Sequence, residues 1–189
     1  HRLGSIGKKL PSLKTKIKNP NEEGIGELLV KGPTVMLGYY QNKEATNEVI
    51  QDEWFHTGDL AKIDKDGYIY ISGRKKSVIV LKNGKNIFPE EMENLINRIQ
   101  GVKESFVFGK SIKEDINDVK IYAKIVYDKQ IYGSVTEQEI YEKINNQIKE
   151  INHTMPPYKG IKGIILTQTP LIKTTTSKIK RQEEMKTIL

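Results

Sequence analysis

The sequence predicts an α+β fold in two parts: a strand-rich first third, then a compact domain that mixes helices and strands. Two dipeptides carry much of this prediction. Asp66-Gly67 lies between LAKI and YIYI, and Asn83-Gly84 lies between SVIVL and KNIF. Asp-Gly and Asn-Gly tolerate positive φ at both central residues of a tight turn, so each dipeptide predicts a β-hairpin. After residue 77 helical and strand patterns alternate, which is typical of an α+β domain.

The first third of the chain is predicted to consist mainly of strands. LKTKIK ends at an Asn-Pro turn signal, and the glycine-bracketed segment 26–32 is a second strand. A short helix is predicted after Asn42, because asparagine is a favourable N-cap. These elements contain few apolar residues, so we interpret residues 1–75 as the end of a larger domain.

The rest of the chain has enough apolar residues to form its own core. Pro89 suits the first position of a helix, which is predicted to run until Gly101 ends it. Thr136 and Glu139 form a capping box that opens a second helix, ended by a Met-Pro-Pro sequence. Alternating residues predict a strand over 119–127, and IKGIILT predicts another. The predicted apolar positions are Met92, Leu95, Ile96, Ile99, Val119, Ile121, Ala123, Ile125, Tyr127, Ile140, Ile144, Ile148 and Ile151.

Composition restricts the class of protein. The chain has 189 residues, of which 37% are hydrophobic and 29% charged, as in ordinary soluble domains. It has no apolar run long enough to cross a bilayer, and its lack of cysteine fits a reducing, cytoplasmic location. His1, His56 and His153 are too far apart in sequence for a local metal-ligand spacing, so no metal site is predicted. The net charge of +7 indicates anionic partners: a nucleotide, a phosphorylated cofactor, nucleic acid or an acidic membrane surface.

The C-terminal segment is open to two interpretations. Thr174–Ser177 is a polar run, expected to be flexible, and it is followed by Lys178. A lysine on such a loop could bring a point charge into a phosphate-bearing site, whereas the simpler interpretation is a solvated surface lysine. The segment 5–9 contains Gly-Lys but lacks the other residues of a phosphate-binding P-loop. Residue patterns alone therefore define little chemistry.

Four stretches resemble, in order and spacing, the motifs of the adenylate-forming enzymes. This superfamily includes acyl-CoA synthetases, the adenylation domains of peptide synthetases, and firefly luciferase. The stretches are GIGELLVKGPTVMLGYYQN, WFHTGD, DGYIYISGRKKSVIVLKNGKNIFPEEME and PLIKTTTSKIKR, and the resemblance extends over essentially the whole chain. It implies that residues 1–75 are the end of the large N-terminal adenylation domain, with part of its small β-barrel subdomain. Residues 76–189 would be the mobile C-terminal domain, with the hinge at Lys76.

The resemblance also implies a two-step reaction and the residues that serve it. With Mg²⁺ present, a carboxylic acid attacks the α-phosphate of ATP to give an acyl-adenylate and pyrophosphate, and the thiol of CoA then displaces AMP. Asp59 matches the aspartate that holds the ribose hydroxyls, a task that suits an acceptor-only carboxylate. Arg74 matches an arginine on the ribose and phosphate side of the nucleotide, and Lys178 matches the catalytic lysine of adenylation.

The second hairpin matches the loop that lines the channel for the pantetheine arm of CoA. Gly84 would let the backbone approach that thin arm closely. Lys82 and Lys85 are weaker candidates for binding the CoA phosphates. Lys76 matches the hinge, a mechanical role that needs no contact with substrate.

The chain departs from the family pattern in three respects. Ser177 stands where the family usually has glycine before the catalytic lysine, which puts the conformation of the loop in question. The second hairpin is one residue longer than in common members, and its LKNGKN spelling resembles a bacterial long-chain fatty acyl-CoA synthetase branch. The phosphate loop and the acyl pocket belong upstream, so the chain alone is expected to be inactive without the remainder of its N-terminal domain.

Two other functions remain open on the sequence alone. One is an amino-acid or aryl-acid adenylation domain that delivers its product to a carrier protein. The other is a non-catalytic basic module that binds nucleic acid or a membrane surface. Intact Asp59, Arg74 and Lys178 argue against the binding module and against a nucleic-acid partner, while peripheral membrane contact stays compatible with the positive charge.

Overall fold

The computed structural model describes residues 2–112 and 115–188, which form two compact units, one up to Lys76 and one from Ser77 onward. The predicted α+β class is confirmed. The break between the units lies one residue after the predicted domain boundary, within a 3₁₀ turn at Lys75–Ser77. Among the described residues, no helix is long and apolar enough to cross a membrane.

The first unit is an antiparallel sheet in the order β1-β6-β5-β3-β2, with β4 beside β5. A core of apolar side chains from β2, β3, β5 and β6 covers one face. β2 lies at the edge of the sheet, where its three exposed lysines discourage pairing with a further strand. The elements are β1 (Gly7–Lys8), β2 (Lys14–Lys18), β3 (Gly26–Lys31), α1 (Lys43–Val49), β4 (Ile50–Gln51), β5 (Trp54–Ile63) and β6 (Tyr68–Arg74).

The first predicted hairpin is present, formed by β5 and β6, but its turn is of a different type from the one predicted. The backbone N–H of Gly67 donates to the carbonyl of Asp64, and the N–H of Asp64 donates to the carbonyl of Tyr68, both at 2.9 Å. Gly67 has a φ of +83°, whereas Asp66 is not in the positive-φ region. The expectation of positive φ at both central residues was therefore wrong: a type I turn is closed by a single left-handed glycine.

The second predicted hairpin repeats this turn between β7 (Ile79–Val80) and β8 (Asn86–Ile87). The N–H of Gly84 donates to the carbonyl of Leu81 at 2.8 Å, and the N–H of Leu81 donates to the carbonyl of Lys85 at 3.0 Å. Gly84 again has a positive φ, of +75°. A Cβ at this position would meet no atom within 4 Å, so a side chain would not clash with its neighbours. Glycine is favoured because of the positive φ, which an L residue rarely adopts.

The second unit is organised around a three-stranded sheet in the order β11-β10-β9, in which β10 is antiparallel to β9 and parallel to β11. Alternate residues of β10 face opposite sides. Those at 121, 123, 125 and 127 pack against α2 and α4, as predicted, and those at 122 and 126 pack against the C-terminal segment. The remaining elements are α2 (Pro89–Ile96), β9 (Val102–Ile112), β10 (Asp115–Tyr127), α3 (Lys129–Tyr132), α4 (Glu137–His153), β11 (Ile161–Thr167) and α5 (Arg181–Lys186).

Helix α4 confirms its predicted start and core face. Thr136 and Glu139 form a complete capping box, and Ile140, Ile144 and Ile148 are buried. Burying each such side chain contributes roughly 1.5–3 kcal/mol. These residues are a main part of the core that holds the second unit together.

Helix α2 is shorter than predicted. It begins at Pro89 as expected but ends at Ile96, and Asn97 caps it while its side chain accepts a hydrogen bond from Ser105 on β9 at 2.8 Å. Gly101 serves a different purpose from the predicted helix stop: it has a φ of +85°, and a Cβ there would lie 2.5 Å from the ring of Tyr132. The spacing of apolar residues extends beyond the end of the helix to Ile99, because the turn after the helix is also packed into the core.

Candidate functional site

Asp59 and Arg74, the two residues predicted to contact the nucleotide, lie directly opposite each other on β5 and β6. The Nε of Arg74 is 2.9 Å from Oδ1 of Asp59, and its Nη1 donates to the carbonyl of Thr57 at 3.2 Å. Half of the arginine side chain and about a third of the aspartate side chain are exposed, at 52% and 29%. The structure therefore brings a carboxylate and a guanidinium together on an accessible part of the sheet.

The backbone around Asp59 is held by Thr57. The hydroxyl of Thr57 donates to the carbonyl of Leu28 on β3 at 2.8 Å and accepts from the N–H of Asp59 at 3.0 Å. Between them Gly58 has a φ of +71°, a conformation that an L side chain rarely adopts. The Thr-Gly-Asp sequence thus forms a local bend that fixes the origin of the aspartate side chain.

A buried acid, Glu27 on β3, supports the residue before the predicted hinge. Its Oε2 accepts from Nζ of Lys75 at 3.0 Å and lies 3.4 Å from Nδ1 of His56. Burial acts to raise the pKa of Glu27, but hydrogen bonds from Lys75 and His56 outweigh it, and the net pKa is lowered. Sequence reasoning missed this cluster, since Glu27 reads only as the polar position of a short strand. The hinge role of Lys76, in the turn that follows, stays a prediction.

Lys178 lies at the end of a closed turn, which differs from the flexible run expected from the sequence. The N–H of Ser177 donates to the carbonyl of Thr174 at 3.0 Å, and the N–H of Thr174 donates to the carbonyl of Lys178 at 2.8 Å. Lys173 and Ile179 pair as an isolated β-bridge beyond it. Ser177 has a φ of +61°, so it occupies the left-handed position that glycine fills in the other two turns. The serine is therefore tolerated at some conformational cost, about 1–2 kcal/mol for an L residue.

The strand that leads into this turn is held by two carboxylates. Glu104 on β9 accepts from the N–H of Leu171 at 2.8 Å and forms an ion pair with Lys173. Glu184 on α5 accepts from the N–H of Ile172 at 2.8 Å. The side chain of Lys178 is exposed and has no side-chain partner among the residues that the structure describes. The turn is thus anchored while its lysine remains available.

The turn of the second hairpin borders a cavity of about 380 Å³. Lys82 lines this cavity together with Lys162 and with Lys120, which pairs with Asp118 in the same lining at 2.9 Å, and Tyr158 forms part of its wall. Nζ of Lys85 lies 4.0 Å from the centre of the Tyr158 ring, in a cation–π contact. The predicted lysines thus lie on or beside a cationic cavity, of a size suited to a small-molecule group.

The structure groups the predicted residues into three places: Asp59 with Arg74, the second hairpin with its cationic cavity, and the turn of Lys178. The described part of the chain contains no cluster of three or more His, Cys, Asp or Glu side chains that could hold a metal ion. Among the described residues we therefore assign no ligands to the magnesium ion that the resemblance implies.

Comparison with known proteins identifies the family. Residues 76–187 match the family model of the AMP-binding enzyme C-terminal domain. The chain belongs to this family. The resemblance to adenylate-forming enzymes is thereby confirmed. Two curated relatives illustrate the range of enzymes to which this chain is similar.

The 2-succinylbenzoate–CoA ligase of Oceanobacillus iheyensis is 42% identical over 117 residues, which cover 60% of this chain and 24% of that protein. The long-chain-fatty-acid–CoA ligase of Yersinia pestis is 33% identical over 188 residues, which cover 97% of this chain and 31% of that protein. Among solved structures, O-succinylbenzoate coenzyme A synthetase from Bacillus subtilis, in complex with ATP and magnesium ion, has a TM-score of 0.77 at 28% identity. That match covers 97% of this chain and 36% of the other. The chain thus spans about a third or less of the length of the curated relatives that it matches.

Proposed function

We propose that this chain is the C-terminal part of an ATP-dependent, AMP-forming ligase that joins a carboxylic acid to the thiol of CoA. The observation that carries the proposal is the anchored turn ending at Lys178, an exposed cation on an ordered backbone within the family-matched unit. A cation held in this way is suited to neutralise charge on a phosphate in a transition state. The ATP named with the Bacillus subtilis structure supports ATP as the nucleotide.

In the first step proposed, a carboxylate oxygen of the acid forms a bond to the α-phosphorus of ATP, and the bond to the β-phosphate bridging oxygen breaks. Pyrophosphate leaves with the electron pair of that bond. The ammonium group of Lys178 would stabilise the charge that develops on the α-phosphate and carboxylate oxygens. It donates hydrogen bonds throughout and does not transfer a proton.

Asp59 and Arg74 would orient the nucleotide for this step. The two oxygens of the Asp59 carboxylate only accept hydrogen bonds, so the carboxylate can accept one from each of the two vicinal ribose hydroxyls. Arg74 holds one of these oxygens through Nε, which orients the carboxylate before the nucleotide arrives. Its remaining N–H groups supply positive charge on the phosphate side. These roles do not involve a metal ion.

In the second step proposed, the sulfur of CoA bonds to the acyl carbonyl carbon and the bond from that carbon to the phosphate oxygen of AMP breaks. AMP leaves with the electron pair of that bond, and the thiol proton is released to solvent. The cationic cavity beside the second hairpin would bind the phosphates of CoA, with Lys82 and Lys162 in its lining and Lys85 beside it on the ring of Tyr158. Gly84, which suits the positive φ of this turn, has no side chain, so the pantetheine arm could pass close to the backbone there.

The double variant Lys82→Ala/Lys85→Ala is expected to raise the KM for CoA by roughly 30-fold, since two phosphate contacts are lost and each is worth on the order of 1 kcal/mol. The measurement is thioester formation in a full-length ligase that carries this chain. With pantetheine as the acceptor, which has no phosphates, the variant and the unchanged enzyme should have equal KM values. Lys143→Ala, which lines a different pocket with Tyr132, is the matched control. An equal rise in the KM for CoA and in the KM for pantetheine would show that these lysines do not bind the phosphates.

For the acid, we propose a long-chain fatty acid. The LKNGKN hairpin spelling supports this choice. The extent of overlap does not decide it, because a long-chain-fatty-acid–CoA ligase and a 2-succinylbenzoate–CoA ligase each match almost the whole chain at 33% identity. The main competitor is 2-succinylbenzoate, because the Oceanobacillus iheyensis relative is at least as similar over the region it covers.

The test is a full-length ligase containing this chain, supplied with ATP, CoA and a panel of acids that includes palmitate and 2-succinylbenzoate. AMP and thioester are measured by mass spectrometry. A long-chain thioester would support the proposal, and succinylbenzoyl-CoA would reassign the substrate within it. Adenylate without CoA thioester would indicate a carrier-protein acceptor instead. If no acid gives AMP, the ligase proposal is wrong.

A further inference from the structure

The segment that leaves the Lys178 turn leads into helix α5 at Arg181, whose guanidinium group packs against other elements of the second unit. Nη2 of Arg181 lies 2.6 Å from Oε2 of Glu93 on α2, and Nη1 donates to the carbonyl of Val107 on β9 at 3.3 Å. The guanidinium carbon is 5.4 Å from the centre of the Phe106 ring. Arg181 therefore has partners on two elements, α2 and β9, that are distant in sequence from the turn.

Glu93 is the centre of this arrangement. It is buried, at 7% exposed, and its second oxygen accepts from the N–H of Val107 at 2.8 Å. One carboxylate thus joins helix α2, strand β9 and the segment that carries Lys178. A second acid on the same helix, Glu90, lies 3.4 Å from Arg181 through Oε1, and its other oxygen is buried without a hydrogen-bond partner.

We propose that Arg181 and Glu93 are positioning residues for adenylation. They set the location of Lys178 by fixing the segment that joins Lys178 to helix α5. Only Ile179 and Lys180 lie between Lys178 and Arg181, and the N–H of Lys180 donates to the carbonyl of Ile172 across the hairpin at 2.8 Å. Because only two residues separate them, a displacement of Arg181 is expected to move Lys178 as well. The inference rests on the proposed role of Lys178.

The geometry explains why arginine suits this position better than lysine. A planar guanidinium can contact a carboxylate and a carbonyl with different nitrogens while its face lies on an aromatic ring. An ammonium group retains the charge but cannot hold all three contacts. Because a misplacement of about 1 Å can lower a rate on the order of 10²-fold, loss of one contact is enough to test the inference.

The test uses a full-length ligase that carries this chain and measures two half-reactions separately: pyrophosphate release with ATP, and thioester formation from supplied acyl-adenylate. Arg181→Lys is expected to lower kcat of the first on the order of 10-fold to 10²-fold, leaving the KM for ATP and the second half-reaction within about twofold. Glu93→Gln, which keeps the size of the side chain, should act in the same direction. Arg98→Lys, exposed just beyond α2, is the matched control and should change neither.

A double variant separates positioning from a general structural role. If Arg181 acts through Lys178, then Arg181→Lys should lower adenylation no further in a Lys178→Ala background. Normal adenylation by both Arg181→Lys and Glu93→Gln would overturn the inference. So would an equal fall in both half-reactions accompanied by a lower urea midpoint, which indicates a folding defect alone. Normal adenylation by Lys178→Ala would instead overturn the proposed function itself.

Discussion

Replacing Lys178 by alanine is expected to lower the rate of adenylate formation by roughly 10²–10³-fold, the range found when one preorganised donor to a transition-state oxyanion is removed. The side chain is exposed and has no side-chain partner within the described part of the chain, so its removal leaves no buried group unsatisfied. Stability should therefore change by less than about 0.5 kcal/mol. The rate is measured as pyrophosphate released by a full-length ligase carrying this chain, at saturating ATP and acid.

The thioester half-reaction distinguishes a specific role from a general loss of activity. With acyl-adenylate supplied, Lys178→Ala should form thioester at close to the rate of the unchanged enzyme, because no charge then develops between acid and α-phosphate. Lys186→Ala, which removes an exposed lysine from α5, is the matched control and should leave both half-reactions unchanged. If both half-reactions fall equally in Lys178→Ala, the role proposed for this lysine is incorrect.

Replacing Glu184 by alanine is expected to destabilise the second unit by about 3–5 kcal/mol, as when one partner of a buried ion pair is lost. Glu184 is 1% exposed, pairs with the largely buried Lys124, and accepts from the N–H of Ile172. Its removal takes the anionic partner from Lys124, which then donates to the hydroxyl of Thr187 at 3.1 Å, and leaves the N–H of Ile172 without its acceptor. The measurement is the free energy of unfolding in urea at pH 7.

Glu183 provides a control from the next position on the same helix. It pairs with Lys180 at the surface, where about half of its side chain is exposed. An exposed pair of this kind contributes 0–1 kcal/mol, so Glu183→Ala should have a small effect. Similar losses in the two variants would show that burial of Glu184 does not contribute to stability as we infer.

The contribution of Glu184 should also depend on pH with a defined sign. Burial acts to raise its pKa, but the hydrogen bonds from Ile172, Lys124 and Thr187 outweigh it, and the net pKa lies below the ordinary value of 4.5. A carboxyl group with a lowered folded-state pKa contributes stability above 4.5 and loses it as the pH falls through the folded-state value. The difference in unfolding free energy between the unchanged chain and Glu184→Ala should therefore shrink on acidification below pH 4.5. A difference that stays constant or grows would contradict this assignment.

Much of the fold could be predicted because its signals are local. The capping box at Thr136 and the alternation along β10 specify their own structure within a few residues. The interactions that place the turn of Lys178 could not be predicted in this way. Glu93 and Arg181 are 88 positions apart, and each reads as an ordinary surface charge until the sheet brings α2 and the C-terminal segment together. The roles of Asp59, Arg74 and Lys178 came from the family resemblance, since their residue types alone fit many surface positions.

Four turns in the described part of this chain share one pair of backbone hydrogen bonds in four different sequences: NEEG, DKDG, LKNG and TTTS. In each, the last residue has positive φ, and the N–H of the first residue donates to the carbonyl of the residue after the turn. In LKNG and TTTS that residue is a lysine, Lys85 or Lys178, so these two turns present a cation in the same way. Asn-Gly in place of Thr176-Ser177 would keep the same path to Lys178 without forcing an L side chain into the left-handed region. The chain thus contains, in its own second hairpin, a template for redesigning the turn that carries Lys178.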